Sequence, residues 1–220
     1  MIANTVLITD RYHPSAIHRL KLKMAYEVKE HHSYELKPKD LVGVCALLIR
    51  SRTKIHSDLL VAANQLKVIV TATSGFDHID LNACIRAGIH VMNTPMANAM
   101  SAAELTLCQM LNLTKSSISL HNGIIKNQSW KHHYSFFGEL NRKLLGIIGY
   151  GHVGQRVSQL AKAFGMDIQV YDPYIDDAII RQHNVFRVGL IELLRTSDFT
   201  SLHVPLTSET KKMINYQTLE

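Results

Sequence analysis

The residues from Leu144 to Tyr174, LLGIIGYGHVGQRVSQLAKAFGMDIQVYDPY, fit one supersecondary unit and few others. Leu145, Ile147 and Ile148 form a short apolar run of the kind buried on both faces of a parallel sheet. Gly149, Gly151 and Gly154 follow at G-x-G-x-x-G spacing. The first permits a tight turn, the second lets backbone approach a pyrophosphate, and the third lets a helix pack on the strand. Val153, Val157, Leu160, Ala161 and Phe164 then recur at helical spacing, with Gly165 placed to cap the helix C-terminus. The first turn of such a helix offers unpaired N–H groups and the positive end of a dipole to phosphate. Ile168 to Tyr171 reads as the returning strand, with Asp172 at its tip, about twenty residues beyond the glycines. A carboxylate there accepts hydrogen bonds from ribose hydroxyls and repels a 2′-phosphate, so the reading is NAD rather than NADP.

Outside this unit the chain narrows the remaining classes. Its 220 residues are enough for one large or two small domains, and 46% hydrophobic with 19% charged residues is the composition of a soluble globular protein. No apolar run is long enough to cross a bilayer, and the N-terminal MIANTVLITD lacks the pattern of a signal peptide, so the cytoplasm is the expected compartment. The formal charge of +6 suits a small anionic ligand, but it is spread without a basic run and gives no support to nucleic-acid binding. Cys45, Cys84 and Cys108 are expected as buried free thiols, one in a strand and two in helices. The pairs His31-His32 and His132-His133 point in different directions on any regular element and have no completing ligand, so exposed histidines are expected rather than a metal site.

In chain order the first half alternates strand and helix. Strands are expected at Val6–Thr9, Tyr26–Lys29, Cys45–Ile49, Lys67–Ala72 and Ile89–Met92, with helices at His18–Ala25, Ser57–Ala63 and Leu81–Ala87, the last capped by Asp80 and closed by Gly88. Five parallel strands with intervening helices make a flavodoxin-like open α/β sheet, whose ligands bind beyond the carboxyl ends of the strands. Arg50-Ser51 and Ser74-Gly75 stand at such ends. They suit an anion held by a guanidinium, a hydroxyl and free amides, though Arg50 equally suits a surface ion pair and Ser74-Gly75 an ordinary turn. Asn98 lies in a loop entering the second half, where an amide either touches ligand or closes a turn.

Ser101 and Glu104 read as a capping box opening a long helix, which makes Glu104 a cap rather than a catalytic base. The polar stretch His121–His133, with Trp130, and then Tyr134–Leu140 reads as a link to the glycine-loop strand. Beyond Tyr174 we expect a helix at Asp176–His183, a short strand at Phe186–Val188, a helix at Ile191–Leu194 and a strand at Phe199–Val204 lying beside the glycine-loop strand. His203 then either lines the nicotinamide side of the site or ends the strand with a satisfied ring. The second is favoured, because nothing nearby tunes it as an acid or base.

Taken together, RSRTK (50–54), TSGFDHID (73–80), NTPMANAMSAAELT (93–106), GIIGYGHVGQ (146–155), VYDPY (170–174) and SDFTSLHVPLTSET (197–210) closely resemble the D-isomer-specific 2-hydroxyacid dehydrogenases, most of all the phosphoglycerate and hydroxypyruvate branch. The resemblance spans essentially the whole chain. It implies a substrate domain at 1–98, an NAD-binding Rossmann domain at 99–220, and an active site in the cleft between them. It implies backbone contacts from Ser74 and Gly75 to a substrate carboxylate, with Arg50 and Ser51 lining the pocket. His152, Val153 and Asp172 would contact pyrophosphate and ribose, and Val204 and Pro205 would flank the nicotinamide. The implied reaction is hydride transfer between NADH and a small anionic 2-oxo acid, or its reverse on the 2-hydroxy acid; a homodimer is compatible with it.

The same resemblance places a catalytic Arg, a Glu and a proton-donating His in segments that follow position 220. The expectation is therefore a C-terminally truncated family member, its NAD domain incomplete and inactive by itself, with the strand at 199–204 left open on one side. The competing expectations are a non-catalytic NAD-binding module and a non-functional gene remnant. Two departures from the family pattern stand out. Arg142 occupies a usual turn glycine, and Thr200 an aliphatic position in a buried strand, where its hydroxyl would need a partner.

Overall fold

The structure, a computed structural model, describes residues 5–23, 26–31, 33–127 and 138–219. His32, Trp130, His132, His133 and the first part of the Tyr134–Leu140 stretch lie outside them. The chain divides into two compact units, Met1–Asn98 and Ala99–Glu220.

In the first unit, β1 (Thr5–Ile8), β2 (Glu27–Glu30), β3 (Val44–Ile49), β4 (Val68–Thr71) and β5 (His90–Met92) form one parallel sheet in the order β2-β1-β3-β4-β5. This is the strand order of flavodoxin-like folds, which puts the ligand end at the carboxyl tips of the strands. The centre is apolar because β3 and β4 are covered on both faces: Leu47, Ile49, Ile55 and Ile69 are fully buried together. By contrast β2 is an edge strand reading EVKE and lies mostly exposed, the charged edge expected of a strand with one free side. Helix α1 spans Pro14–Lys23, so it begins well before the His18 start read from periodicity; Pro14 lacks only an N–H the first turn would leave unpaired. Helix α2 is a single turn, Ser57–Leu60, shorter than expected. Helix α3 (Leu81–Arg86) starts as read, with Asp80 accepting a hydrogen bond from Ala83 N at 2.9 Å.

The second unit begins with α4 (Ala99–Lys115) and α5 (Ser117–Asn127). Helix α4 starts two residues before Ser101, which corrects the capping-box reading: Ser101 and Glu104 are exposed residues inside the helix. Helix α5 also corrects the reading of His121 onward as a link. Then β6 (Leu144–Ile148), α6 (His152–Ala163), β7 (Asp167–Tyr171), α7 (Asp177–His183), β8 (Phe186–Arg187), α8 (Leu190–Thr196), β9 (Phe199–Leu202) and α9 (Tyr216–Leu219) follow. Their strands form a second parallel sheet in the order β8-β7-β6-β9. The glycine-loop strand β6 is therefore central, and β9 lies beside it at the edge, in the register Leu145 to Phe199 and Ile148 to Leu202. Thr200 is exposed on β9, where the family pattern led to the expectation of a buried site.

The core of this unit packs α4 and α6 over the sheet, with Ala103, Leu145, Ile147, Val157, Ala161 and Val170 fully buried. Asp198 braces the start of β6: one oxygen accepts from Leu144 N and the other from Lys143 Nζ, both at 2.9 Å. These bonds hold its carboxyl below the usual carboxylate range. Arg142 sits in the preceding turn at φ +61°, a conformation that favours glycine. The three cysteines are free, but only Cys84 is buried; Cys45 is half-buried and Cys108 exposed on the outer face of α4. Among the described residues no three His, Cys, Asp or Glu side chains cluster as a metal site, and no helix is long and apolar enough to cross a membrane.

Candidate dinucleotide-binding site

The loop between β6 and α6 is shaped by three glycines with different surroundings. Gly149 has φ +88°, and a Cβ there would lie 2.7 Å from both the His203 carbonyl oxygen and Val204 Cγ1. The turn thus needs glycine for its conformation and for the close approach of the chain leaving β9. At Gly154 a Cβ would lie 2.3 Å from the Gly149 carbonyl oxygen, so the first turn of α6 packs directly on the loop. Gly151 is the opposite case. It is exposed, its φ of −74° and ψ of −159° are open to any residue, and no protein atom lies within 4 Å of where its Cβ would be. Neither folding nor packing demands glycine here, and the space above this backbone is open to a ligand.

Helix α6 begins at His152 with Gly151 at its N-cap and no side chain capping it. Its leading amides therefore have no side-chain acceptor at the cap, the arrangement that suits an anion. His152 is exposed at the helix start, while Val153 is half-buried against the core of the unit.

Asp172 stands at the tip of β7, half-exposed. Its Oδ2 accepts from Tyr150 N at 2.7 Å and its Oδ1 from Tyr174 N at 2.9 Å. A carboxylate offers about four lone-pair sites, so two remain for ribose hydroxyls. Sequence reasoning missed the partner in this arrangement. Tyr150 is fully buried beneath the loop, its hydroxyl within hydrogen-bond distance of Ser158 Oγ (3.0 Å) and His183 Nδ1 (3.1 Å), and its carbonyl accepts from Gln155 Nε2 at 3.0 Å. Burial raises the pKa of this phenol, which stays a neutral anchor. The loop is thus held at Tyr150 through its N–H, its carbonyl and its ring. An aromatic residue inside a glycine motif was the only available signal.

The chain leaving β9 runs along this loop. His203 N donates to Ile148 O at 2.7 Å, and His203 Nε2 is hydrogen-bonded to Ser201 Oγ at 2.8 Å. The ring is half-buried, and burial lowers its pKa, so it is a neutral imidazole with a local partner. Val204 reaches the glycine loop as described, and the Pro205 carbonyl accepts from Thr210 Oγ1 at 2.5 Å, which folds the following LTSET segment back on itself. Gly149, Gly151, His152, Val153, Gly154, Asp172, His203, Val204 and Pro205 are therefore all carried by the tips of three adjacent strands and the start of one helix.

The first unit carries the other set. Arg50 is exposed just past β3, and among the described residues no carboxylate lies within 4.0 Å of it; the ion pair expected there is made instead by Arg52 with Asp10, at 2.9 Å. Ser51 is exposed beside it. Ser74 Oγ donates to Pro95 O at 3.1 Å, Asn93 Nδ2 donates to Ser74 O at 2.8 Å, and Thr73 Oγ1 donates to Gly75 O at 2.7 Å. These bonds fix the turn, while among the described residues the Ser74 and Gly75 N–H groups have no protein acceptor. Two amides held open at a strand tip suit a carboxylate. Asn98 is exposed at the last position of this unit, immediately before α4.

Residues 107–220 match the family profile described as "D-isomer specific 2-hydroxyacid dehydrogenase, NAD binding domain". The chain belongs to the D-isomer-specific 2-hydroxyacid dehydrogenase family. It is 37% identical to the hydroxypyruvate reductase of Thermotoga maritima over 219 residues, covering 97% of this chain and 69% of that protein. To the D-3-phosphoglycerate dehydrogenase of Methanocaldococcus jannaschii it is 39% identical over 214 residues, 95% of this chain but only 40% of that much longer relative. Among solved structures, the D-lactate dehydrogenase of Aquifex aeolicus, complexed with NAD and lactic acid, superposes with a TM-score of 0.85 at 31% identity, over 97% of this chain and 64% of that one. The NAD+-bound 3-phosphoglycerate dehydrogenase of Entamoeba histolytica does so with a TM-score of 0.81 at 30% identity, over 99% and 68%. This dehydrogenase family is NAD-dependent, and the two-sheet α/β architecture described above is the one it uses.

Proposed function

We propose that residues 1–220 bind NAD(H) at the β6–α6 loop and the carboxylate of a small 2-oxo or 2-hydroxy acid at the strand tips of the first unit. The observation that carries this reading is Gly151, a glycine the fold does not need, with open space above its backbone at the head of a helix. Gly149 and Gly154 shape the turn, the amides of α6 receive the pyrophosphate, and Asp172 accepts from the ribose hydroxyls and disfavours a 2′-phosphate. Val204 and Pro205 flank the nicotinamide, and His203, neutral and bonded to Ser201, supports that wall without exchanging protons. Bound NAD would supply the hydride acceptor or donor. On the first unit, Ser74 and Gly75 amides take the substrate carboxylate, with Arg50 and Ser51 adding charge and a hydroxyl, and Asn98 contributing an amide.

The reaction class is the family's, oxidation of a D-2-hydroxy acid or reduction of the 2-oxo acid. The resemblance sets the carbonyl-polarising Arg, the proton-donating His and its Glu in segments after position 220, so residues 1–220 by themselves are read as binding without turnover. A general acid alone contributes about 10²–10⁴-fold in rate. The test is titration of the 220-residue chain with NADH, followed by fluorescence, alongside a steady-state assay with hydroxypyruvate. Saturable NADH binding without ordinary turnover is expected. A folded chain that binds no NADH would end the reading, and turnover at enzyme-like rates would end its second half.

A further inference from the structure

The tip of β1 is tied to the segment that follows β3 at three points. Thr9 Oγ1 and Thr53 Oγ1 are 2.8 Å apart, both side chains buried. The Tyr12 hydroxyl donates to Ile49 O at 2.7 Å, a carbonyl that also receives Ala72 N–H at 2.9 Å. Asp10 Oδ1 accepts from Arg52 Nη2 at 2.9 Å and from Arg11 N at 2.7 Å, although the Asp10 side chain is only 1% exposed. Arg52 is fixed from its other side, its guanidinium 3.9 Å from the centre of the Tyr34 ring. Thr53 N–H closes onto Arg50 O at 3.2 Å, and the segment ends in the buried bridge between Ile55 and Ile79.

Residues 50–54 are therefore held at their start, middle and end, while Arg50, Ser51, Arg52 and Lys54 themselves face solvent. Exposed loops are ordinarily the mobile part of a domain. A buried carboxylate is also a poor source of stability, since its desolvation offsets most of the attraction to its partner. What this arrangement does provide is geometry, and the segment it fixes lies at the ligand end of the sheet.

We infer that Asp10 and Tyr12 are positioning residues for anion binding by the first unit, holding residues 50–53 so that Arg50 and Ser51 meet a substrate carboxylate without first being ordered. The inference rests on the role given to Arg50 and Ser51 in the proposed function. A site ordered in advance spares the ligand the entropy of ordering it. Burial pushes the Tyr12 phenol up to about 12, with Arg50 and Asp10 the charged groups acting on it, so the hydroxyl remains a donor to Ile49 O throughout the neutral range.

The experiment is an NMR titration of the full 220-residue chain with oxalate and with hydroxypyruvate, for the wild type, Tyr12→Phe, Asp10→Asn, Arg50→Gln and the double variant Tyr12→Phe/Arg50→Gln. Tyr12→Phe and Asp10→Asn should each weaken acid binding about three- to tenfold, the order of one or two lost restraints. Both should leave the NADH dissociation constant within about twofold, because the cofactor residues belong to the other unit. In the Arg50→Gln background, Tyr12→Phe should weaken binding clearly less than it does in the wild type, which a merely structural role would not produce. Equal weakening in both backgrounds, or unchanged acid affinity in Tyr12→Phe, overturns the inference alone. A wild type that binds NADH but neither acid overturns it together with the substrate half of the proposed function. If Asp10→Asn fails to fold, Tyr12→Phe decides the matter, since it keeps the half-buried ring and removes one oxygen.

Discussion

Substituting alanine for each glycine of the β6–α6 loop separates what the fold requires from what a ligand requires. In Gly151→Ala the new methyl meets no protein atom within 4 Å and the backbone dihedrals suit an L-residue. The folded state loses nothing, while the unfolded chain loses freedom, so stability should hold or rise by up to about 1 kcal/mol. For a chain of this length that is a rise in Tm of at most about 2–4 °C. A dinucleotide, however, would find the methyl where its pyrophosphate approaches the helix amides. Losing one charge-assisted hydrogen bond costs about 1.5–3 kcal/mol, or roughly ten- to 150-fold in NADH affinity. Gly149→Ala and Gly154→Ala serve as the contrast. The first forces φ +88° on an L-residue and drives Cβ to 2.7 Å from a carbonyl; the second drives it to 2.3 Å from one. Each should destabilise the chain by about 1–3 kcal/mol or more. Thermal melts and NADH fluorescence titrations on the same preparations measure both quantities. A well-folded Gly151→Ala protein with undiminished NADH affinity would refute the reasoning, because the open space would then have no occupant.

Burial lowers the pKa of His78 and His203 below the ordinary 6.5, so the unfolded chain binds protons more readily than the folded one near neutrality. Their contribution to stability is complete above about pH 6.5 and is lost as pH falls through the folded values; Tm should drop between pH 7 and 5, and His203→Gln should make that drop shallower. Asp198 has the same sign at lower pH, its depressed pKa giving stability above the ordinary 3.8 that fades in acid. The Tm difference between wild type and Asp198→Asn should therefore be present at pH 7 and close below about pH 4; a constant difference would show that the Lys143 and Leu144 bonds do not matter through charge. Arg142→Gly relieves the positive φ before β6 and should stabilise by about 0.5–1 kcal/mol, the left-handed cost less the added freedom of unfolded glycine. A lower Tm for that variant would mean the Arg142 side chain contributes something its backbone conformation does not reveal.

What the sequence revealed depended on how local the cause was. The glycine loop was legible because strand, turn and helix each leave a mark within a few residues, and Asp80 was legible as a cap because its acceptor and donor lie three positions apart. Ser101 and Glu104 have the same spacing, but nothing local reports that the helix had already begun at Ala99. Helix α5 escaped notice because His121, Asn122 and Gly123 interrupt its apolar residues. The ties from Asp10 and Tyr12 to Arg52 and Ile49 cross about forty residues of chain and had no sequence signature. Tyr150 is intermediate: its place in the motif was plain, and its partners Ser158 and His183 were not.

The double duty of Asp172 bears on any redesign of cofactor preference. The acid that would discriminate between the two nicotinamide dinucleotides is also the acceptor for an amide in the middle of the phosphate loop. Exchanging it for a small neutral or basic residue, the obvious route to a 2′-phosphate, would strand that amide and unfasten the loop meant to grip the rest of the molecule. A successful switch should keep an oxygen at that position, as asparagine does, and bring the positive charge from a neighbouring residue.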